Sequence, residues 1–129
     1  METLTKTKIL VVDDDDNFRE TLTDAMELKD VSVMGADSAE AAFSSLSSSG
    51  PSVILLDVQL PDSNGVELCR RIRSDKRYRK VPIVLLSGKF TEPADRAEGL
   101  LAGADAYLSK PIGLDSLWDE IRYLLDRPS

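Results

Sequence analysis

The chain has 129 residues, 42% hydrophobic and 30% charged, with a formal net charge of −7 and no histidine. That length suits one domain burying roughly two-thirds of its unfolded surface, in a composition typical of folded rather than disordered chains. Without histidine, Ser-His-Asp and Cys-His catalysis, histidine-ligated metals and a phosphohistidine are excluded, and the single Cys69 excludes an internal disulfide or a cysteine zinc site.

In chain order, Ile9-Leu10-Val11-Val12 is a continuous apolar run that stops at Asp13 and reads as a strand buried on both faces. Phe18, Leu22, Ala25 and Met26 follow at helical spacing, with acids crowding the start; Asp15 and Asp16 read as helix-capping rather than metal-binding groups. Val31–Met34 reads as a second strand, and Asp37 with Glu40 as a capping-box-like start to a helix over Ala39–Leu46. After the break at Ser47–Pro51, Val53–Leu56 is a third buried strand, again stopping at an aspartate, Asp57. Pro61–Gly65 is a turn, with Gly65 serving the turn rather than a ligand, and Val66, Leu68, Cys69 and Ile72 form a helical stripe that makes Cys69 a buried structural thiol. Val81–Leu86 is a fourth strand ending at Ser87-Gly88. A helix from about Pro93 to Leu101 closes at Gly103, and Ala106–Leu108 is a short fifth strand running into Ser109-Lys110-Pro111. The last helix carries Leu114, Leu117, Trp118, Ile121, Leu124 and Leu125. Strict alternation of strands and helices implies a doubly wound α/β domain with a parallel sheet.

Charge is distributed unevenly. Residues 70–80 carry net +6 against −13 elsewhere, so this stretch is either a solvated helix end or a docking surface for an acidic partner, tested by reversing Arg73, Arg77 and Lys80. The acidic remainder argues against direct binding of nucleic acid or an anionic membrane. No apolar run approaches the roughly 18 residues that span a bilayer, and Met1–Lys8 lacks a signal peptide's apolar core, so a cytoplasmic location is expected.

In open parallel sheets, sites form beyond the carboxyl ends of the strands. The residues there are Asp13 and Asp14, Asp57, Ser87 and Lys110. Carboxylates crowded together repel one another, and a hard divalent cation such as magnesium relieves the conflict. A free aspartate oxygen beside the metal can attack a phosphoryl group, while the lysine and serine stabilise the transferring oxygens.

The segments ILVVDD (Ile9–Asp14), VILLDVQLPDSNG (Val53–Gly65), VLLSG (Val84–Gly88) and YLSKP (Tyr107–Pro111) give the chain a resemblance, over essentially its whole length, to the receiver domains of two-component response regulators. The resemblance implies a flavodoxin-like (βα)5 fold with a five-stranded parallel sheet in the order 2-1-3-4-5, and one receiver domain over 1–129 with a core of about 7–126. It implies that Asp57 accepts a phosphoryl group from a sensor histidine kinase or histidine phosphotransfer protein. Asp13, Asp14, Asp57 and the backbone carbonyl of Gln59 would bind Mg2+, and Ser87 and Lys110 the phosphoryl group. Such a domain catalyses only its own phosphorylation and dephosphorylation. It would signal to a downstream output protein or domain, with a phosphorylation-dependent dimer left open. Tyr107 would be the aromatic switch, filling space vacated as Ser87 moves toward the phosphoryl group and reshaping the face made by the fourth helix, fifth strand and fifth helix. The Lys110–Pro111 peptide would be cis. Gly88 replaces the family's more usual alanine, and Gln59 and Lys89 stand at positions that vary across the family and tune dephosphorylation.

Three other readings compete. A haloacid-dehalogenase-like Mg2+-dependent phosphatase would use Asp13 and Asp15 as its paired aspartates, but Asn17 stands where it has threonine or valine, and Asp115 and Asp119 fall in a helix rather than at a strand end. A receiver-like docking module that is never phosphorylated is disfavoured because every reacting residue is present. A nucleotide or flavin module is weaker still, lacking a glycine-rich first turn.

Overall fold

Five parallel strands pair in the order β2-β1-β3-β4-β5, the order implied by the resemblance. They are β1 (Lys8–Val12), β2 (Ser32–Ala36), β3 (Val53–Asp57), β4 (Ile83–Ser87) and β5 (Ala106–Ser109). The helices are α1 (Asp16–Glu27), α2 (Ala39–Ser49), α3 (Gly65–Ser74), α4 (Pro93–Leu101) and α5 (Leu114–Asp126), with a 3-10 turn over Lys76–Tyr78. The computed structural model describes residues 7–127, so the first six residues and Pro128-Ser129 lie outside it. Among the described residues, no helix is long and apolar enough to cross a membrane.

The central strands are apolar throughout because both faces are covered, and successive side chains feed opposite cores. Leu10, Val12, Ile54, Leu56, Ile83 and Leu85 pack with α2, α3 and the end of α4. Ile9, Val11, Val53, Leu55, Val84 and Leu86 pack with α1 and α5. Fully burying each Leu, Ile or Val contributes about 1.5–3 kcal/mol. The winding reverses between β1 and β3, which opens a crevice at their carboxyl ends.

Local chemistry sets the helix starts. Asp15 caps α1 as expected, its carboxylate accepting from the N–H groups of Asn17 and Phe18, whereas Asp16 is the first residue of the helix and pairs with Arg19 instead of capping. The expected capping box of Asp37 and Glu40 does not form. Ser38 caps α2 by accepting from Ala41 N–H, and the remaining exposed donors, Ala39 and Glu40 N–H, are taken by Asp62 at 2.9 and 3.1 Å from the β3–α3 loop. The second strand begins and ends later than Val31–Met34, because pairing with β1 runs from Lys8–Ser32 to Val12–Ala36 and tolerates Gly35 at an edge. Met26 is buried, and Trp118 packs on the α1–α5 core beneath the Lys29 ammonium. The Cys69 thiol is buried, and that burial pushes its pKa up to about 11, fitting a structural role.

The basic stretch 70–80 divides on inspection. Arg73 is not a surface charge. Its guanidinium donates to the carbonyls of Gly103, Tyr78 and Val81 and pairs with Asp105 at 2.8 Å, so reversing its charge would break the fold rather than probe docking. Arg70 pairs with Glu67, Arg77 with Asp75, and Arg71 lies over the Phe43 ring. The 3-10 turn leads into the start of β4, at the end of the sheet opposite Asp57.

Candidate functional site

Every strand-end residue singled out in the sequence reaches the crevice between β1 and β3 or its rim. Asp13 extends β1 by one residue, its N–H donating to the Ala36 carbonyl, and it is 1% exposed. Asp57 is the last residue of β3, and Ser87, fully buried, the last of β4. Lys110 follows β5 and is anchored by its own N–H to the Ser87 carbonyl at 2.8 Å; the Lys110–Pro111 peptide is cis. Asp14 is exposed at the crevice mouth. Asp13, Asp14 and Asp57 each offer a carboxylate oxygen within 4.8 Å of the other two.

The electrostatics follow from crowding. The Asp57 carboxyl is pushed up to about 6, chiefly by burial and then by the Asp13 carboxylate; the Lys110 ammonium and the Gln59 N–H pull it down in part. The Lys110 ammonium hydrogen-bonds Asp13 Oδ2 at 2.6 Å and stands 3.7 Å from Asp57 Oδ1. One cation thus faces three carboxylates. The donor set is all hard oxygen with excess negative charge, which fits a magnesium-sized divalent cation held by carboxylates and water.

The loop after β3 is built around Asp57. A Cβ on Gly65 would lie 2.2 Å from the Asp57 carbonyl oxygen, so only glycine fits at that first residue of α3. Its role is this close approach, with no positive φ involved. Gln59 bridges to Asn64, and Asn64 caps α3 through Val66 N–H.

Ser87 Oγ accepts from Phe90 N–H at 2.8 Å, and the Tyr107 hydroxyl donates to the Phe90 carbonyl. The Tyr107 ring is 4% exposed and packs against Gly99 of α4, where an added Cβ would come within 2.6 Å of Tyr107 Cδ2. Burial raises the Tyr107 hydroxyl's pKa, with the Ser87 hydroxyl partly offsetting it.

Two residues near the site were read only as turn or core in the sequence. Asp62 ties the β3–α3 loop to α2, and its carboxyl is held below the usual range by the two N–H groups it accepts. The Phe18 ring lies under the Lys110 ammonium at 4.8 Å. No local spacing announces either contact, since each joins elements far apart in the chain.

The sheet order and the cluster at its switch point define a doubly wound α/β domain with a carboxylate site. The family model of the response regulator receiver domain matches residues 9–122, and the chain belongs to that family: it is a receiver domain of two-component response regulators. It is similar to the KDP operon transcriptional regulatory protein KdpE of Escherichia coli, 35% identical over 123 residues that cover 95% of this chain and 53% of the relative. The chain spans about half the length of the curated relatives it matches. Among solved structures, a two-component response regulator from Clostridium difficile superposes with a TM-score of 0.88 at 31% identity, covering 95% of this chain and 98% of that one. The BeF3-activated DrrB receiver domain gives 0.84 at 28% identity, covering 95% and 100%. The phosphatase alternative loses its second aspartate, because the Asp15 carboxylate is committed to capping α1.

Proposed function

We propose that Asp57 is the phosphoacceptor of a signalling domain occupying residues 1–129, with a core of about 7–126, working in the cytoplasm. The observation that carries this reading is the gathering of the Asp13, Asp14 and Asp57 carboxylates within 4.8 Å beside the Lys110 ammonium. A carboxylate oxygen of Asp57 attacks phosphorus of a phosphohistidine on a histidine kinase or phosphotransfer protein. The P–N bond breaks, the electron pair and a proton go to the departing imidazole, and an acyl phosphate remains on Asp57. Asp13, Asp14, Asp57 and the Gln59 carbonyl would hold Mg2+, which when bound neutralises charge on the transferring oxygens. Lys110 and Ser87 stabilise the same oxygens, and the domain catalyses no reaction beyond its own phosphorylation and dephosphorylation.

The switch we infer is an exchange of partners at Ser87. In the unmodified domain its hydroxyl holds Phe90 N–H; in the modified one it turns to a phosphoryl oxygen, releasing the loop that Tyr107 grips through the Phe90 carbonyl. That biases the packing of α4, β5 and α5 toward a downstream output protein or domain.

Incubation with a small phosphodonor and Mg2+ should add one phosphoryl group by mass. Asp57→Asn should abolish it, and Asp13→Ala or Asp14→Ala should raise the Mg2+ concentration required. Undiminished labelling of Asp57→Asn would overturn the assignment.

A further inference from the structure

We propose that Phe18 is a positioning residue for Lys110, its ring face steering the ammonium between Asp13 and the phosphoryl group on Asp57. The proposal rests on the reading of Asp57 as phosphoacceptor.

The Lys110 ammonium now makes one short hydrogen bond, to Asp13 Oδ2 at 2.6 Å, while the Asp57 oxygen at 3.7 Å is beyond hydrogen-bonding distance. The lysine therefore rests on Asp13, a carboxylate that the proposed metal also needs. For the metal and the phosphoryl group to be served together, the ammonium must leave Asp13 and move toward Asp57. The Phe18 ring, 4.8 Å from Nζ, attracts a cation over a broad face and asks for no hydrogen of its own. It can hold the charge during that transfer without competing for either carboxylate.

The ring is placed for this by the same residues that build the site. Asp13 Oδ1 accepts from Asp15 N–H at 3.0 Å, and the Asp15 carboxylate accepts from Phe18 N–H at 3.2 Å. The first turn of α1 is thus pinned to the carboxylate that holds the lysine. Phe18 is half-buried, and with Gly88, Lys110, Pro111 and Ile112 it lines an open cleft of about 450 Å³ at the site's mouth. A residue serving only the core would not need to face this cleft.

The test is the rate of Asp57 phosphorylation by a small phosphodonor at saturating Mg2+. Phe18→Leu, which keeps apolar bulk and removes the π face, should slow it about fivefold, the scale of a partly desolvated cation–π contact. Phe18→Tyr should stay near the wild-type rate, and a ring-fluorinated phenylalanine at the same position, close to isosteric but with a weakened quadrupole, should be slow. In the Lys110→Ala background the Phe18→Leu change should have no further effect. The Lys110 ε-methylene protons should lose their upfield ring-current shift in Phe18→Leu. Wild-type rates for Phe18→Leu and the fluorinated protein would overturn the inference, as would an equal loss in the Lys110→Ala background. Label confined to Asp57 with Phe18→Leu unimpaired would overturn it alone, whereas label persisting in Asp57→Asn would overturn the site reading with it.

Discussion

The Asp57 carboxyl is destabilised in its charged form at neutral pH. Its pKa is raised from the ordinary 3.8 to about 6, mostly by burial. Between those two values the folded, metal-free protein binds more protons than the unfolded chain, so this residue's effect on stability is most favourable at acid pH and is lost as pH rises through about 6. Asp57→Asn removes the conflict. With chelator present at neutral pH, its urea midpoint should exceed that of the wild type by the equivalent of about 1–2 kcal/mol, after allowing for solvent screening at the crevice mouth. The gap should close toward pH 4 in a pH series of unfolding curves. A wild-type protein as stable as Asp57→Asn at neutral pH would mean that burial of this charge costs nothing. The site itself was legible in the sequence because each apolar run stopped abruptly at a polar residue: Val12 at Asp13, Leu56 at Asp57, Leu86 at Ser87. The Phe18–Lys110 contact was not, since helical spacing shows that Phe18 faces inward but not which cation stands above it.

At the scale of elements, α4 is shaped around a ring. Gly99 is its single buried residue, and the missing Cβ is what lets Tyr107 lie against the sheet. Gly99→Ala should expel the ring or push α4 outward at a cost of about 1–3 kcal/mol. The expected sign is greater solvent quenching of Tyr107 fluorescence, measured with the other tyrosines replaced, together with a lower melting temperature. Unchanged quenching would show that the helix gives way and the ring stays. Helices and strands were largely legible because their period and their local stop signals agree; α4 runs over Pro93–Leu101 as the pattern indicates. The start of α2 was misread for a physical reason. Its cap is Ser38, one residue past Asp37, and two further donors are taken by Asp62 from a loop 23 positions away from Ala39, a contact that no local pattern of Asp37 and Glu40 reveals. The second strand slipped because Gly35 interrupts its apolar run at a sheet edge, where β propensity is weakest as a guide.

Across the whole molecule, a second polar cluster stands at the opposite pole from Asp57. Arg73 and Asp105 join α3, the entry to β4 and the α4–β5 loop, and Asp105 also accepts from Ile83 N–H and pairs with Arg127. Arg73→Ala should cost about 2–3 kcal/mol, because the carbonyls of Gly103, Tyr78 and Val81 lose this donor together and Asp105 loses one of its two cationic partners. Arg79→Glu and Lys80→Glu, both exposed, should shift stability by no more than about 0.5 kcal/mol. Equal effects in thermal unfolding would show that Arg73 belongs with the surface charges after all. The active pole is assembled differently: its closest ion pair joins Asp13 to Lys110 across 97 positions of chain. A nascent chain that has emerged only as far as α3 owns Asp57, the acceptor we propose, yet lacks Ser87 and Lys110, the hydroxyl and ammonium proposed to serve it. On that proposal, competence to take phosphate arrives only with the fifth strand, so that labelling of ribosome-bound chains of increasing length would time the closing of the sheet from within the protein's own chemistry.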